Sequence, residues 1–157
     1  MIDDLREMKL PSRICVTFSA MENHYLLTDL AFERQFSEAS LDPAIFSHEA
    51  HLRLAWIHLD RYGLTRAIEN ITRQLKIYTR AVGAADKYNE TLTIAAIHAV
   101  HHFRIRTSCP DFQSFILENS VLKTSFKGLI ETHYRTDIFT SPHAKTSFLE
   151  PELAPFD

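Results

Sequence analysis

The chain has 157 residues, with 17 basic against 20 acidic side chains and a formal charge of −3, a length that fits one domain with a substantial hydrophobic core. Hydrophobic residues make up 45% and charged residues 24%, which excludes a disordered chain, and neither half is basic enough to offer a nucleic-acid footprint. Only three glycines occur, Gly63, Gly83 and Gly128. Average composition would give about eleven, and three so far apart cannot build a Gly-rich phosphate loop or a Rossmann fingerprint.

In chain order, the N-terminal stretch MIDDLREMKLP is charged and lacks an apolar run, so no secretory signal is expected. Residues 1–22 read as an irregular arm in which Val16, Thr17 and Phe18 form at most a short extended piece. From about Asn23 the apolar residues Leu26, Leu27, Leu30, Ala31 and Phe36 recur at helical spacing. Ser37 to Pro43 breaks that pattern. Ser47 is the expected cap of a second helix that runs to Tyr62 and stops at Gly63, with His48, Leu52, Ala55, Trp56, Leu59 and Tyr62 in one sector. Glu49 and Arg53 have the spacing of an i,i+4 ion pair.

A third helix is expected from Thr65 to Val82, ended by Gly83, with Leu64, Ile68, Ile71, Leu75, Tyr78 and Val82 as its seam. A fourth, from about Asp86 to Arg106, carries two apolar sides and is therefore expected at the centre of the fold. A shorter fifth helix spans about Asp111 to Val121, and residues 124–140 are ambiguous beyond a helical reading through Leu129 to Tyr134. Ser141 and Pro142 read as a cap and a first-turn proline. The expected fold is all-α: a single-domain bundle of five to six helices over 23–149, with an extended C-terminal tail over 150–157 belonging to the same domain.

Cys15 and Cys109 are too few and too far apart for a disulfide framework, and reduced thiols in a cytoplasmic protein are the expectation. No stretch approaches the 18 or so consecutive apolar residues that would span a membrane.

Nine histidines are present, and their placement is more informative than their number. His48 and His51 lie three apart in the first turn of the second helix, a spacing that lets two imidazoles hold one metal or bracket one substrate. Glu90, near the start of the fourth helix, shares a sector with Ile94, Ile97 and His101, where a carboxylate needs a partner. Short connections make helices two, three and four run up, down and up, so the first turns of two and four fall at one end. His48, His51 and Glu90 are thus the candidate ligands of one divalent transition metal (zinc, iron, manganese or nickel), with Glu90 and His51 as candidate catalytic groups. His-Glu-Ala-His departs from the zincin His-Glu-x-x-His by one residue, which removes the peptidase argument. His98 and His102 are expected to face solvent.

The residues Phe46-Ser47-His48-Glu49-Ala50-His51-Leu52 and Tyr88-Asn89-Glu90-Thr91-Leu92-Thr93 resemble a family of small helical proteins without an assigned activity. That family carries His-x-x-His-Leu followed by Tyr-His/Asn-Glu-Thr-x-Thr. The endings Ser141-Pro142-His143-Ala144-Lys145 and Phe148-Leu149-Glu150-Pro151-Glu152-Leu153-Ala154-Pro155 are similar to it as well. The resemblance covers about residues 45–155 and implies that His48, His51, Glu90, Thr91 and Thr93 are its characteristic polar positions. Asn89 stands where other members have histidine.

Two classes of function follow. The first is a small enzyme or ligand-binding domain acting on a small molecule, with a metal or with a metal-free His–Glu acid-base couple. The second is a non-enzymatic interaction or homo-oligomeric domain whose histidines are structural and whose apolar patch lies around Phe112, Phe115 and Phe126.

Overall fold

The computed structural model of the protein describes residues 21–157, and among these the regular structure is helical, without strands. The arm expected over 1–22, with Cys15 and the piece around Val16, falls outside the described residues except for its last two positions.

The first helix begins later than its apolar spacing suggests. Asn23–Leu26 is a 3-10 turn, and α1 runs Asp29–Ser37 with the Thr28 hydroxyl accepting from the Ala31 N–H at 3.2 Å. Capping at Thr28 sets the helical phase from residue 29, so Phe32 and Phe36 are fully buried while Leu26 is 85% and Leu30 63% exposed. Two phenylalanines bury more area than the leucine stripe would, and the aromatic pair decides which face turns inward.

α2 spans His48–Ala81, opened by the Ser47 hydroxyl accepting from the Ala50 N–H at 3.2 Å. It is two limbs rather than one rod, because Gly63 sits at φ 76°, ψ 174°. A straight helix would place Phe46 and Tyr78 about 48 Å apart at about 1.5 Å per residue. Their rings meet edge-on at 5.1 Å, and the Tyr78 hydroxyl donates to the Leu41 carbonyl at 3.1 Å. The chain therefore turns back at Gly63, and limbs 48–62 and 64–81 run antiparallel. The second limb closes on Gly83, at φ 73°. The Gly83 N–H donates to the Arg80 carbonyl at 3.2 Å and the Ala84 N–H to the Thr79 carbonyl at 2.7 Å, the paired bonds of a Schellman stop.

A 3-10 turn at Ala85–Lys87 leads into α3, Glu90–Arg104, so this helix starts four residues after the expected Asp86. The reason is Asn89, whose Oδ1 accepts from the Leu92 N–H at 2.9 Å and whose Nδ2 donates to the Ile138 carbonyl at 2.7 Å. α3 packs most extensively on α2. It buries Ile94, Ala95, Ile97, Ala99 and Val100 among the surrounding elements.

The remaining helices are short: α4 (Phe112–Glu118), α5 (Val121–Thr124), α6 (Phe126–Glu131) and α7 (Pro142–Thr146). The expected fifth helix, about Asp111 to Val121, ends at Glu118 and a separate turn of helix follows from Val121, while the ambiguous stretch 124–140 supplies α6, which makes seven α-helices among the described residues. Phe112 and Phe115 are core residues, 2% and 1% exposed, so the apolar patch expected around them does not lie on the surface.

The C-terminal segment folds back onto the bundle. The buried Thr91 hydroxyl donates to the Ser147 carbonyl at 2.8 Å and accepts from the Leu149 N–H at 3.0 Å. Glu152 caps the turn at Arg135 and Thr136 by accepting both N–H groups, at 2.7 and 2.8 Å. Phe156 stacks on His98 with ring centroids 4.6 Å apart. His98 is therefore half-buried under the tail rather than facing solvent, and His102 pairs with Asp157 at 2.6 Å.

Candidate functional site

Where the two limbs of α2, the start of α3 and the turn before α2 meet, they leave a cavity of about 570 Å³. Its walls are mainly apolar, with Phe46, Leu75, Tyr78, Leu92 and Phe126 among them. The polar side chains that reach it include His48, His51, Asn89 and Thr93. The exposed Pro43 and Lys87 at its border mark where it opens to solvent. A volume in this range is that of a site for a small organic molecule. For scale, an apolar cavity of about 150 Å³ takes up benzene.

His51 is the most telling wall residue. Burial pushes its imidazole below the ordinary histidine range, offset only in part by its hydrogen bond to the Ser47 carbonyl. Both His51 and His48 are exposed, so they stand at the open part of the cavity wall rather than in the core. Its Nδ1 lies 2.7 Å from the Ser47 carbonyl oxygen. A carbonyl accepts, so Nδ1 carries the proton and Nε2 of the neutral ring is left as a lone-pair acceptor. The ring is held flat against Phe46, centroids 3.8 Å apart and planes 21° from parallel.

His48 is built the same way with the nitrogens exchanged. Its Nε2 donates to the Leu122 carbonyl at 2.9 Å, and the ring packs against Phe126 at 4.8 Å. In the neutral ring Nδ1 is then the acceptor. α5 and α6 are thereby fastened to the first turn of α2 at the cavity wall.

Glu90 does not join the two histidines in a ligand set. Its carboxylate accepts from the Tyr88 hydroxyl at 2.5 Å and pairs with Lys76 at 2.8 Å. These two contacts supply the partners that its apolar sector demanded. Tyr88 lines the cavity while its phenol, raised by burial and by the Glu90 bond, stays protonated. Thr93 donates to the Asn89 carbonyl at 2.6 Å, and Thr91 is committed to the tail. Of the residues expected to share one metal, His48 and His51 thus meet at the cavity. Among the described residues, the set of three whose donor atoms lie within 4.8 Å of one another is a different one, Glu22, His24 and Glu49.

Sequence reasoning missed this second cluster. Glu49 does not pair with Arg53 along the helix. It accepts from the Tyr25 hydroxyl at 2.6 Å and from the Lys123 ammonium, with His24 Nε2 at 3.4 Å. Burial alone would raise the Glu49 carboxyl, but bonds from His24, Lys123 and Tyr25 outweigh it and hold the group down at about 2. Arg53 turns the other way. Its five N–H groups go to Asp29 Oδ1 twice (3.1 and 2.8 Å), the Leu27 carbonyl (2.8 Å), the His24 carbonyl (2.6 Å) and His24 Nδ1 (3.3 Å).

That saturated guanidinium decides what the cluster can hold. Arginine only donates, so His24 Nδ1 must be the acceptor and Nε2 carries the proton, aimed at Glu49 and Glu22. A metal needs Nε2 unprotonated, and the place of a cation between the two carboxylates is already taken by Lys123. The residues fit an ion-pair clamp joining α2, α5 and the segment before α1, not a metal centre. No sequence signal pointed to it, because its members come from three separate segments without a shared spacing.

His58, fully buried with both ring nitrogens unpartnered, lies 3.9 Å from Glu33, which is itself bound by Arg61 at 2.8 Å and by the Tyr62 hydroxyl at 2.6 Å. Cys109 is half-buried, its thiol donating to Glu118 at 3.1 Å. No helix among the described residues is long and apolar enough to cross a membrane. Compared with protein-family models, curated proteins and solved structures, the chain gives no match in any of the three.

Proposed function

We propose that the cavity is the binding site for a small, largely apolar molecule, and that His51 and His48 are the polar groups that orient it. The observation that carries this reading is His51, fixed by its bond to the Ser47 carbonyl and its stacking on Phe46 in the wall of an otherwise mainly apolar cavity. A concavity of this size with mainly apolar walls leaves apolar surface in water that a guest of matching size would cover. In an enzymatic version His51 is the general base, because a ring kept neutral near pH 7 by burial is ready to take a proton from a bound molecule. Glu90 then acts at one remove, fixing Tyr88 in the wall. The likeness to the His-x-x-His-Leu family rests on the motif residues alone and adds the same positions to this reading.

The test is a fragment screen by ligand-observed NMR on the full chain, repeated on Ala96→Phe, which puts a ring into the cavity from the α3 side. Fragments that bind the wild type and are lost from a folded Ala96→Phe protein support the proposal. A wild-type protein that takes up no apolar fragment, or one whose binders are indifferent to Ala96→Phe, overturns it.

A further inference from the structure

We infer that the molecule this cavity accepts is a neutral, flat compound carrying a hydrogen-bond donor, such as a phenol, an indole or an enol, and not a carboxylate or phosphate. The inference rests on the proposed binding function of the cavity and specifies the chemistry of its ligand. It follows from an inventory of the polar hydrogens in the wall.

Nearly every donor is already spent. His48 donates to the Leu122 carbonyl and His51 to the Ser47 carbonyl. The hydroxyls of Tyr78, Tyr88, Thr79 and Thr93 donate to the Leu41 carbonyl, the Glu90 carboxylate, the Lys76 carbonyl and the Asn89 carbonyl, respectively. Asn89 directs one amide N–H to the Ile138 carbonyl. Apart from the second Asn89 N–H, what these groups still offer is lone pairs, above all Nε2 of His51 and Nδ1 of His48. An anion brought among lone pairs is repelled and finds few donors to replace the water it gives up. Lys87 is the charged group on the border, but it is exposed and its charge is met by solvent.

A cation fares no better. Glu90 is committed to Lys76 and Tyr88, and no carboxylate belongs to the lining. The shape requirement comes from the rings. Phe46 and His51 form one stacked wall, with Tyr78 edge-on to Phe46 at 5.1 Å and Phe126 against His48. Flat faces favour a flat guest, and aromatic pairs add to the area they bury.

The probes are 2-naphthol, its methyl ether and 2-naphthoate, measured by calorimetry against the full chain at about pH 7.5, with His51→Leu alongside. The expected result is that the naphthol binds, the ether binds at least about tenfold more weakly for want of its donor, and the naphthoate does not bind measurably. In His51→Leu the naphthol should fall to the level of the ether. An ether that matches the naphthol in the wild type, or a naphthoate that binds best, overturns the donor inference while leaving a binding cavity in place. If none of the three binds and Ala96→Phe changes nothing in the fragment screen, the binding function fails, and this inference with it. The wild-type series decides even if His51→Leu does not fold.

Discussion

His51 and Phe46 are stacked, ring centroid on ring centroid at 3.8 Å, so a titratable ring is pinned flat in the wall of the cavity. Burial lowers the His51 pKa below its unfolded value of 6.5. A group with a depressed folded pKa binds its proton more readily when unfolded, so its stabilisation is complete above pH 6.5 and declines as pH falls from there toward the folded pKa. His58, His98 and His101 are also held down by burial, so the whole protein should weaken in the same direction. Urea unfolding at pH 7.5 and pH 5.5 should show a smaller loss for His51→Gln than for the wild type. An unchanged loss would show that His51 does not titrate between the two.

Glu49 governs a separate, more acidic window. With the carboxyl at about 2 in the folded state and 4.5 unfolded, its contribution is present above pH 4.5 and lost as pH falls toward 2. The gap corresponds to about 3 kcal/mol. Glu49→Gln should therefore cost a similar amount at pH 7, chiefly by leaving Lys123, Tyr25 and His24 without their shared acceptor. Its unfolding free energy should then fall less between pH 4.5 and pH 2 than that of the wild type, the remaining loss coming from Asp111, Asp137, Glu152 and Asp157, whose carboxyls are also held down. Parallel urea titrations at the two pH values make the comparison.

How much of this was legible in the sequence depends on whether the signal was local. Ser47, Gly83 and Ser141 act through bonds to residues a few positions away, and their spacing marked the helix ends. The placement of His48 and His51 at one end with the start of α3 followed from counting short connections. Most of what was not legible came from contacts distant in sequence, the exceptions being two local caps. Thr28 and Asn89 were not read as caps, so α1 and α3 were begun too early. Helical spacing pairs Arg53 with Glu49, but Asp29 Oδ1, the Leu27 and His24 carbonyls and His24 Nδ1, more than twenty residues away, take all five of its N–H groups. Glu90 was read as a ligand because its apolar sector demanded a partner, and spacing cannot say that the partner is Lys76 on the second limb of α2.

Thr91 tests the attachment of the C-terminal segment. Its hydroxyl both donates to the Ser147 carbonyl and accepts from the Leu149 N–H, and the residue is fully buried. Thr91→Val keeps the shape while removing both bonds, leaving two main-chain groups unpaired at a cost of about 1–3 kcal/mol. Hydrogen exchange should then rise at Leu149 and at Leu153, whose N–H donates to the His133 carbonyl at 2.9 Å, with less change in α2. Exchange that rises equally in α2 would mean that the tail and the bundle unfold as one unit.

Gly63 and Gly83 separate two kinds of backbone demand with one pair of substitutions each. A Cβ built at either position meets nothing within 4 Å, so any cost of Gly→Ala is conformational rather than steric. Gly83 occupies the left-handed position after a helix end, where alanine costs about 1–2 kcal/mol and asparagine less. Gly63, at φ 76° and ψ 174°, lies in a region that is almost exclusively glycine's, where any side chain costs about 1–3 kcal/mol. Gly83→Asn should thus recover much of the stability that Gly83→Ala loses, whereas Gly63→Asn should recover little relative to Gly63→Ala. Because Gly63 turns the two limbs of α2 onto each other, its variants should also weaken fragment binding in the cavity more than the Gly83 variants do at equal loss of stability. Chemical denaturation and fragment titration on the four variants measure both effects, and equal asparagine recovery at the two sites would contradict the assigned backbone geometry.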